Sequence, residues 1–376
     1  MLISILNKIK QKAVRVYIRY FYGLFSDPQN KQSSFAVIGE LGHGRPYVKQ
    51  YLGSQNFSLI RKYFSNSIAT QKELLSNTGL VVVTEKMLLK VPVEDTLMVP
   101  DLVWLIIPLP ATFDEYRNAL PKSARSDLSR IKREGYTHAL STDINWVETF
   151  FHNYHLPAMQ LRHDTGAYIT QINALKDQLR QKGSEFINIC HNDVCVASML
   201  TLLNDGKYTL SQMGWLNGDS ALVHSGAVAA LYWQAIQRAY QLGCDQIILG
   251  GTPAHIDNGV LVFKAKWGAR ISKEKFHNIN YLLINPDNAT CYSFLTRVSL
   301  IVIGKDNKLI LLTGKKPDEL KVKDSILKDI SFWYVLRDSK TAKPNHDDLP
   351  LSIKGWYDKV PVALATATVV NTLVIY

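Results

Sequence analysis

The residues best suited to chemistry lie in the later half of the chain. Phe263-Lys264-Ala265-Lys266-Trp267-Gly268-Ala269-Arg270 closes a candidate helix that starts near Asn258. Val260, Leu261 and Phe263 give that helix an apolar face, which sends the Lys264 ammonium to the rim of a cleft. There it could hold an anion or polarise a carbonyl; the competing reading is a lysine laying its stem along apolar surface. Trp267 reads as a helix-end anchor and Gly268 as a positive-φ cap. Asp257, just before the helix, is either a base or its N-cap, and the cap needs no further explanation. Upstream, Arg162-His163-Asp164 follows Pro157 on an expected loop between helices. His163 can titrate near neutrality, and its neighbours could bind a substrate and orient the imidazole; otherwise it is an exposed bystander.

A second group of residues suits anions. Lys122 to Gly135 carries five bases against two acids. On a helix, Arg125, Lys132 and Arg133 converge while Arg130 turns away, and arginine offers a bidentate fork to a pyrophosphate or other polyanionic donor. A solvated basic face is the alternative. Ser225 reads as the cap of a helix over 226–242, and with Gly226 it leaves main-chain N–H groups for a phosphate. The glycine cluster Gly39 to Pro46 reads as a turn between strands. Four cysteines, Cys190, Cys195, Cys244 and Cys291, make no disulfide framework and share no metal-ligand spacing, so no metal is expected and a reducing, cytoplasmic setting is.

These side chains need elements to hold them. Strands over 185–191 and 194–203 meet at Asn192-Asp193, and Asn204-Asp205-Gly206 turns into a strand over 208–216. The helix 226–242, a strand 246–249 broken by Gly250-Gly251-Thr252-Pro253, the helix 258–267, and strands 279–284, 298–303 and 308–313 follow. Earlier, strands are expected over 35–38, 80–84, 87–93 and 102–109, one helix over 113–134, and another over 146–155 closed by Pro157. The fold class is mixed α/β, with largely antiparallel sheets flanked by helices.

A strand meander, a helix, a strand and a helix ending in Phe263-Lys264 to Gly268 resembles the GNAT superfamily of N-acyltransferases. The likeness implies that Phe263 stands where those enzymes usually carry a tyrosine that protonates the leaving thiolate, a role phenylalanine cannot fill. A Phe-Lys pair before a glycine, with an upstream basic helix ending in glycine, is similar to the FemAB-type and polysaccharide-biosynthesis acyltransferases, which are built from two GNAT-like halves. The resemblance covers about residues 100–285. With it the chain divides into a diverged first half 35–144 and a catalytic half 145–315, preceded by a basic amphipathic helical segment 1–34 and followed by an extension 316–376.

The implied activity is transfer of an acyl group from acyl-CoA, as co-substrate, to the amine of an amino sugar, amino acid or envelope precursor. Lys264, His163 and Asp257 are then the catalytic candidates, and Arg125, Lys132, Arg133, Arg162, Ser225 and Gly226 the binding ones. The strand 194–203 is expected to splay from its neighbour, so that main chain at 199–201 and 211–214 walls a slot for the carbonyl. The loop 217–226 lacks the Arg/Gln-x-x-Gly-x-Gly/Ala string of ordinary GNAT enzymes. That leaves acyl carrier protein or charged tRNA open as donor, and an aminoacyl-tRNA-dependent transferase as the alternative activity.

Composition limits the remaining classes. The chain has 376 residues, 47% of them apolar, and 43 Lys+Arg against 32 Asp+Glu give a net charge of +11. Disordered, collagenous and miniprotein classes are excluded, and two or three compact units fit the length. Residues 1–25 carry Lys8, Lys10, Lys12, Arg15 and Arg19, no acid, and apolar residues at helical spacing. This reads as a basic amphipathic helix, either docked or lying on the anionic inner face of a membrane, rather than a secretory signal. A non-catalytic membrane-surface protein is therefore the third functional class. The uncharged run Val360 to Tyr376 is rich in β-branched residues and reads as buried strand rather than membrane span.

Overall fold

The computed structural model describes residues 18–24, 32–38, 57–63, 67–163, 169–315, 319, 326, 328–336 and 357–360. Two compact units share the chain, and neither is contiguous. An inserted unit holds Trp104–Thr252 with Val262–Ser272, and a flanking unit holds Met1–Val103, Pro253–Leu261 and Lys273–Tyr376. The expected division at 144/145 falls inside the inserted unit, because strand neighbours rather than chain order decide what packs together.

The flanking unit begins with β1 (Ile18–Leu24), β2 (Gln32–Ile38) and β3 (Phe57–Tyr63), then α1 (Ile68–Thr78), β4 (Leu80–Val83) and the start of β5 (Leu97–Pro108). Residues 18–24, the end of the expected basic helix, are strand paired with β2 and β3, as their aromatic and β-branched side chains favour. The rest of that helix and residues 361–376 lie outside the described residues. Ser67 caps α1 by accepting the Thr70 N–H at 3.1 Å, and Gly79 ends it at φ +74°. The strand expected over 87–93 is instead two 3-10 turns, Lys86–Leu88 and Val93–Asp95, around Pro92, which has no N–H for a ladder.

The inserted unit runs from the end of β5 through α2 (Phe113–Ala119), α3 (Lys122–Glu134), β6 (Thr137–Ser141), α4 (Trp146–Phe150), a π-helical turn (Phe151–His155), α5 (Leu156–His163) and α6 (Ile172–Leu179). Then come β7 (Glu185–His191), β8 (Val194–Asn204), β9 (Lys207–Trp215), α7 (Ser220–Ser225), α8 (Ala227–Gln241), β10 (Gln246–Pro253) and α9 (Gly259–Lys266). The strand order is β5-β10-β9-β8-β7-β6, antiparallel from β6 to β9 and parallel between β9 and β10. Val147, Phe150, Tyr154, Leu175 and Leu179 pack on Phe186 and Leu200, so α4, the π-turn and α6 cover one face of β7 and β8.

Three expectations are corrected by proline and glycine chemistry. The single helix over 113–134 is two, because Pro121 forces Leu120 out of the helical region, to ψ 136°. Pro157 does not close the helix 146–155; the wide π-turn gives up a regular main-chain bond where proline has no N–H, and the helix runs on to His163. Gly250-Gly251 does not end the strand at 249: β10 continues to Pro253, with Gly250 at φ +71°.

The flanking unit resumes with β11 (Arg270–Ile284), α10 (Ala289–Arg297), β12 (Ser299–Ile303), β13 (Leu309–Thr313), β14 (Phe332–Leu336) and β15 (Tyr357–Val360). Both parallel and antiparallel pairs occur there, as β2 lies parallel to β4 and β12 antiparallel to β13. The fold is mixed α/β, with largely antiparallel sheets flanked by helices. Among the described residues, no helix is long and apolar enough to cross a membrane.

Candidate functional site

An opening between strands lies in the inserted unit, one strand later than the sequence suggests. β8 does not splay. It pairs with β7 from Glu185↔Thr201 to His191↔Val194, and with β9 from Ala197↔Trp215 to Asn204↔Lys207. The main chain at 199–201 is therefore committed on both sides. By contrast, β9 and β10 register only at Gln246↔Lys207, Ile247↔Tyr208 and Ile248↔Thr209. Beyond those pairs, residues 210–215 and 249–253 have no registered partner on each other. A bulge coincides with the parting: Leu200 faces Gln212 and Thr201 faces Leu210, so Ser211 is an extra residue on β9. Such a bulge bends and twists its strand.

Each wall of this opening is tied down by a buried nitrogen. Lys264 does not emerge at a rim: it is 6% exposed, and its Nζ donates to the carbonyls of Leu249 at 2.7 Å and Gly251 at 3.3 Å and to Thr252 Oγ1 at 3.0 Å. The α9 apolar face carries the lysine inward against the outer half of β10. All three acceptors are uncharged, and burial pushes its pKa down to about 7. On the other wall, His155 is fully buried and its Nδ1 lies 3.1 Å from the Met213 carbonyl. A carbonyl can only accept, so Nδ1 carries the proton. Burial lowers the pKa of this histidine and keeps it neutral. Neither His155 nor Met213 stands out in the sequence; the one signal is a histidine at the end of an apolar stripe, two residues before a proline.

The other candidates are dispersed. Asp257 is not the cap of α9, since Asn258 Oδ1 accepts the N–H groups of Val260 at 2.9 Å and Leu261 at 3.2 Å. In the flanking unit, Asp257 instead pairs with Lys315 at 2.8 Å. Ser225 does not cap α8 either: Gly226 holds that position at φ +101°, and the Ser225 hydroxyl meets Tyr136 Oη at 2.6 Å and the Leu222 carbonyl. The loop expected over 217–226 contains α7, capped by Asp219. His163 and Arg162 end α5 rather than sit on a loop, and Asp164 lies outside the described residues.

Arg125, Lys132 and Arg133 are exposed, but Arg125 donates to the Leu120 carbonyl at 2.9 Å and Arg133 pairs with Glu134. A base that does lie at the start of α8 is Arg130, which sequence reasoning sets aside. Its side chain lies over Gly226 and donates to the His224 carbonyl at 3.2 Å. The first residues of α8, Ala227, Val228 and Ala229, are buried and, among the described residues, have no side-chain cap. Among the described residues, no group of three His, Cys, Asp or Glu is placed to hold a metal ion.

Among solved structures, the chain is similar to FemX at 12% identity and a TM-score of 0.38, over 72% of this chain and 89% of that one. It is similar to L-PGS from Bacillus licheniformis at 13% identity and a TM-score of 0.33, over 73% and 86%. The tandem GNAT protein from the clavulanic acid biosynthesis pathway is similar at 7% identity and a TM-score of 0.29, over 67% and 78%. No family model matches the sequence, and no match to it was found among curated proteins.

Proposed function

We propose that this chain is a GNAT-like N-acyltransferase that moves an acyl group from acyl-CoA to the amine of an amino sugar, amino acid or envelope precursor. The observation that carries the reading is the parting of the parallel strands β9 and β10 beside buried Lys264. Acyl transfer needs an amine held near a carbonyl and donors for the oxygen that gains charge. Strands that part leave main-chain N–H groups without a strand partner, and a group inserted between them meets those donors. Lys264, as ammonium, adds positive charge at the same level of β10. The uncapped start of α8, with Gly226, Ser225 and Arg130 around it, is where an anionic carrier would place a phosphate. Phe263 packs edge-on against Tyr232 and cannot protonate a leaving thiolate, so that proton must come from elsewhere.

One observation favours a second reading. The segment after β9 is a short helix capped by Asp219, without the glycine string expected for a coenzyme A pyrophosphate. An aminoacyl-tRNA donor fits that difference. Incubation with labelled acetyl-CoA and, separately, with charged tRNA across a panel of amines separates the two by which donor is consumed. Turnover of neither would refute both. Arg125→Ala is expected to raise the donor KM about threefold if the basic face of α3 guides the carrier, and to leave it unchanged if that face is only solvated. A cytoplasmic protein touching the inner membrane face through the basic N-terminal segment is expected to co-sediment with anionic liposomes only while residues 1–17, which precede β1, are present.

A further inference from the structure

The edge of β9 that faces the opening can be read from the alternation of its pairs. Asp205 and Gly206, at φ +47° and +72°, make a two-residue turn closed by Asn204↔Lys207. In an antiparallel ladder, hydrogen-bonded and non-bonded pairs alternate from such a turn. Leu202↔Thr209 is then bonded and Thr201↔Leu210 is not; the bulge at Ser211 takes up the next bonded position, and Met199↔Met213 is again non-bonded. The N–H and C=O of Met213 therefore point away from β8, toward the side that β10 leaves after Ile248↔Thr209.

A strand edge of this kind offers both signs of dipole. N–H groups favour a carbonyl oxygen that is gaining charge, and a bare C=O beside them repels it. At Met213 that carbonyl is already taken by His155 Nδ1–H at 3.1 Å. The main chain at Tyr154 and His155 also lies directly on Gly214, leaving no room there for a Cβ. The histidine is costly where it sits: it is fully buried, stacked on Phe150, and among the described residues its Nε2 has no hydrogen-bond partner. An unsatisfied buried polar atom is destabilising, so a phenylalanine or leucine would suit this aromatic surrounding better unless the Nδ1–H contact matters.

We propose that His155 is a positioning residue of the acyl-transfer opening: it occupies the Met213 carbonyl and, with the π-turn seated on Gly214, holds the outer half of β9 apart from β10 with the Met213 N–H turned toward the acyl oxygen. This rests on the acyltransfer reading of that opening.

Three variants test it, with acetyl-CoA and charged tRNA as the donor probes. His155→Leu fills the space without a donor, and His155→Asn replaces Nδ1–H by an amide N–H at the same reach. His155→Leu is expected to lower kcat about 10²-fold with a donor KM near wild type, and His155→Asn to recover most of it. Wild-type kcat in His155→Leu, or no recovery in a folded His155→Asn, overturns the proposal. Gly214→Ser, which pushes on the same contact from the strand side, is expected to reproduce the kcat loss. If wild type consumes neither donor, the transferase reading fails, and amide hydrogen exchange over 210–215 then decides alone. Exchange altered in His155→Leu and restored in His155→Asn upholds the strut, and exchange unchanged in His155→Leu removes it.

Discussion

The two walls of the opening are held by different physics. On β9 the ties come from a helix earlier in the chain: a neutral imidazole on Met213 and main chain packed on Gly214. On β10 they come from the following helix, through a lysine that spends its donors on Leu249, Gly251 and Thr252. Both arrangements keep carbonyls of a parted strand occupied. Only one of them carries a group that changes charge near neutrality. The contrast assigns framing to the β9 wall and charge to the β10 wall.

Replacing the charge should have the largest effect. Lys264→Met keeps most of the stem volume and removes the ammonium. We expect kcat to fall about 10²-fold with whichever donor wild type consumes, because a fixed buried positive charge beside the developing oxyanion is removed even though its hydrogens are spent on β10. A cooperative thermal melt with native near-UV circular dichroism checks that the variant folds. If it folds and turns over within about threefold of wild type, Lys264 only ties β10 and the contrast between the walls disappears.

Titration should separate the walls next. Burial holds Lys264 at about 7 against an ordinary 10.5, so between those values the unfolded chain carries a proton that the folded one lacks. Stability from this group therefore rises with pH across that window, by at most about 1.4 kcal/mol per pH unit. His155 is lowered from 6.5, so its window lies on the acid side, and stability falls there as pH falls. Urea unfolding from pH 7 to 10 should show a rise of stability with pH that is larger in wild type than in Lys264→Met, and the acid side should instead be compared between wild type and His155→Leu, because buried His255 and Asp101 titrate there as well. Equal slopes in wild type and Lys264→Met from pH 7 to 10 would remove Lys264 as the group held neutral.

Much of this frame is legible in the sequence. The hairpin at Asn192-Asp193, the turn at Asp205-Gly206 and the glycine ending α9 follow from residue types with strong local preferences, and they stand where expected. Lys264 stands out by its place after Phe263. Its orientation is not legible, because an apolar helix face tells only that the face is buried, not what polar main chain lies under it. The opening lies one strand later than the pattern suggests for a related reason: β8 and β9 have similar patterns, and only the register shows which pair parts. Pro157 misled because proline as a helix stop assumes regular turns, and the π-turn before it is invisible in composition. Ser225 and Asp257 misled as caps because each has a neighbour, Gly226 and Asn258, that takes the position.

The smallest effects come from two glycines, one on each wall, kept for different reasons. Gly214 has an ordinary extended backbone, but a Cβ there would overlap the Tyr154 carbonyl group, which cannot move without shifting the π-turn. Gly214→Ala should therefore cost about 1–3 kcal/mol in urea unfolding, as overpacking against main chain does, and should disturb His155 with it. Gly250 has open space around its Cβ direction and a φ of +71°. Gly250→Ala should cost only about 1–2 kcal/mol, the penalty of a left-handed conformation for an L-residue. Gly250→Asn, which tolerates that conformation, should recover part of it, whereas Gly214→Asn should be worse than Gly214→Ala. If asparagine rescues both positions equally, backbone conformation explains both glycines, and the β9 wall is not held by the close approach of the π-turn.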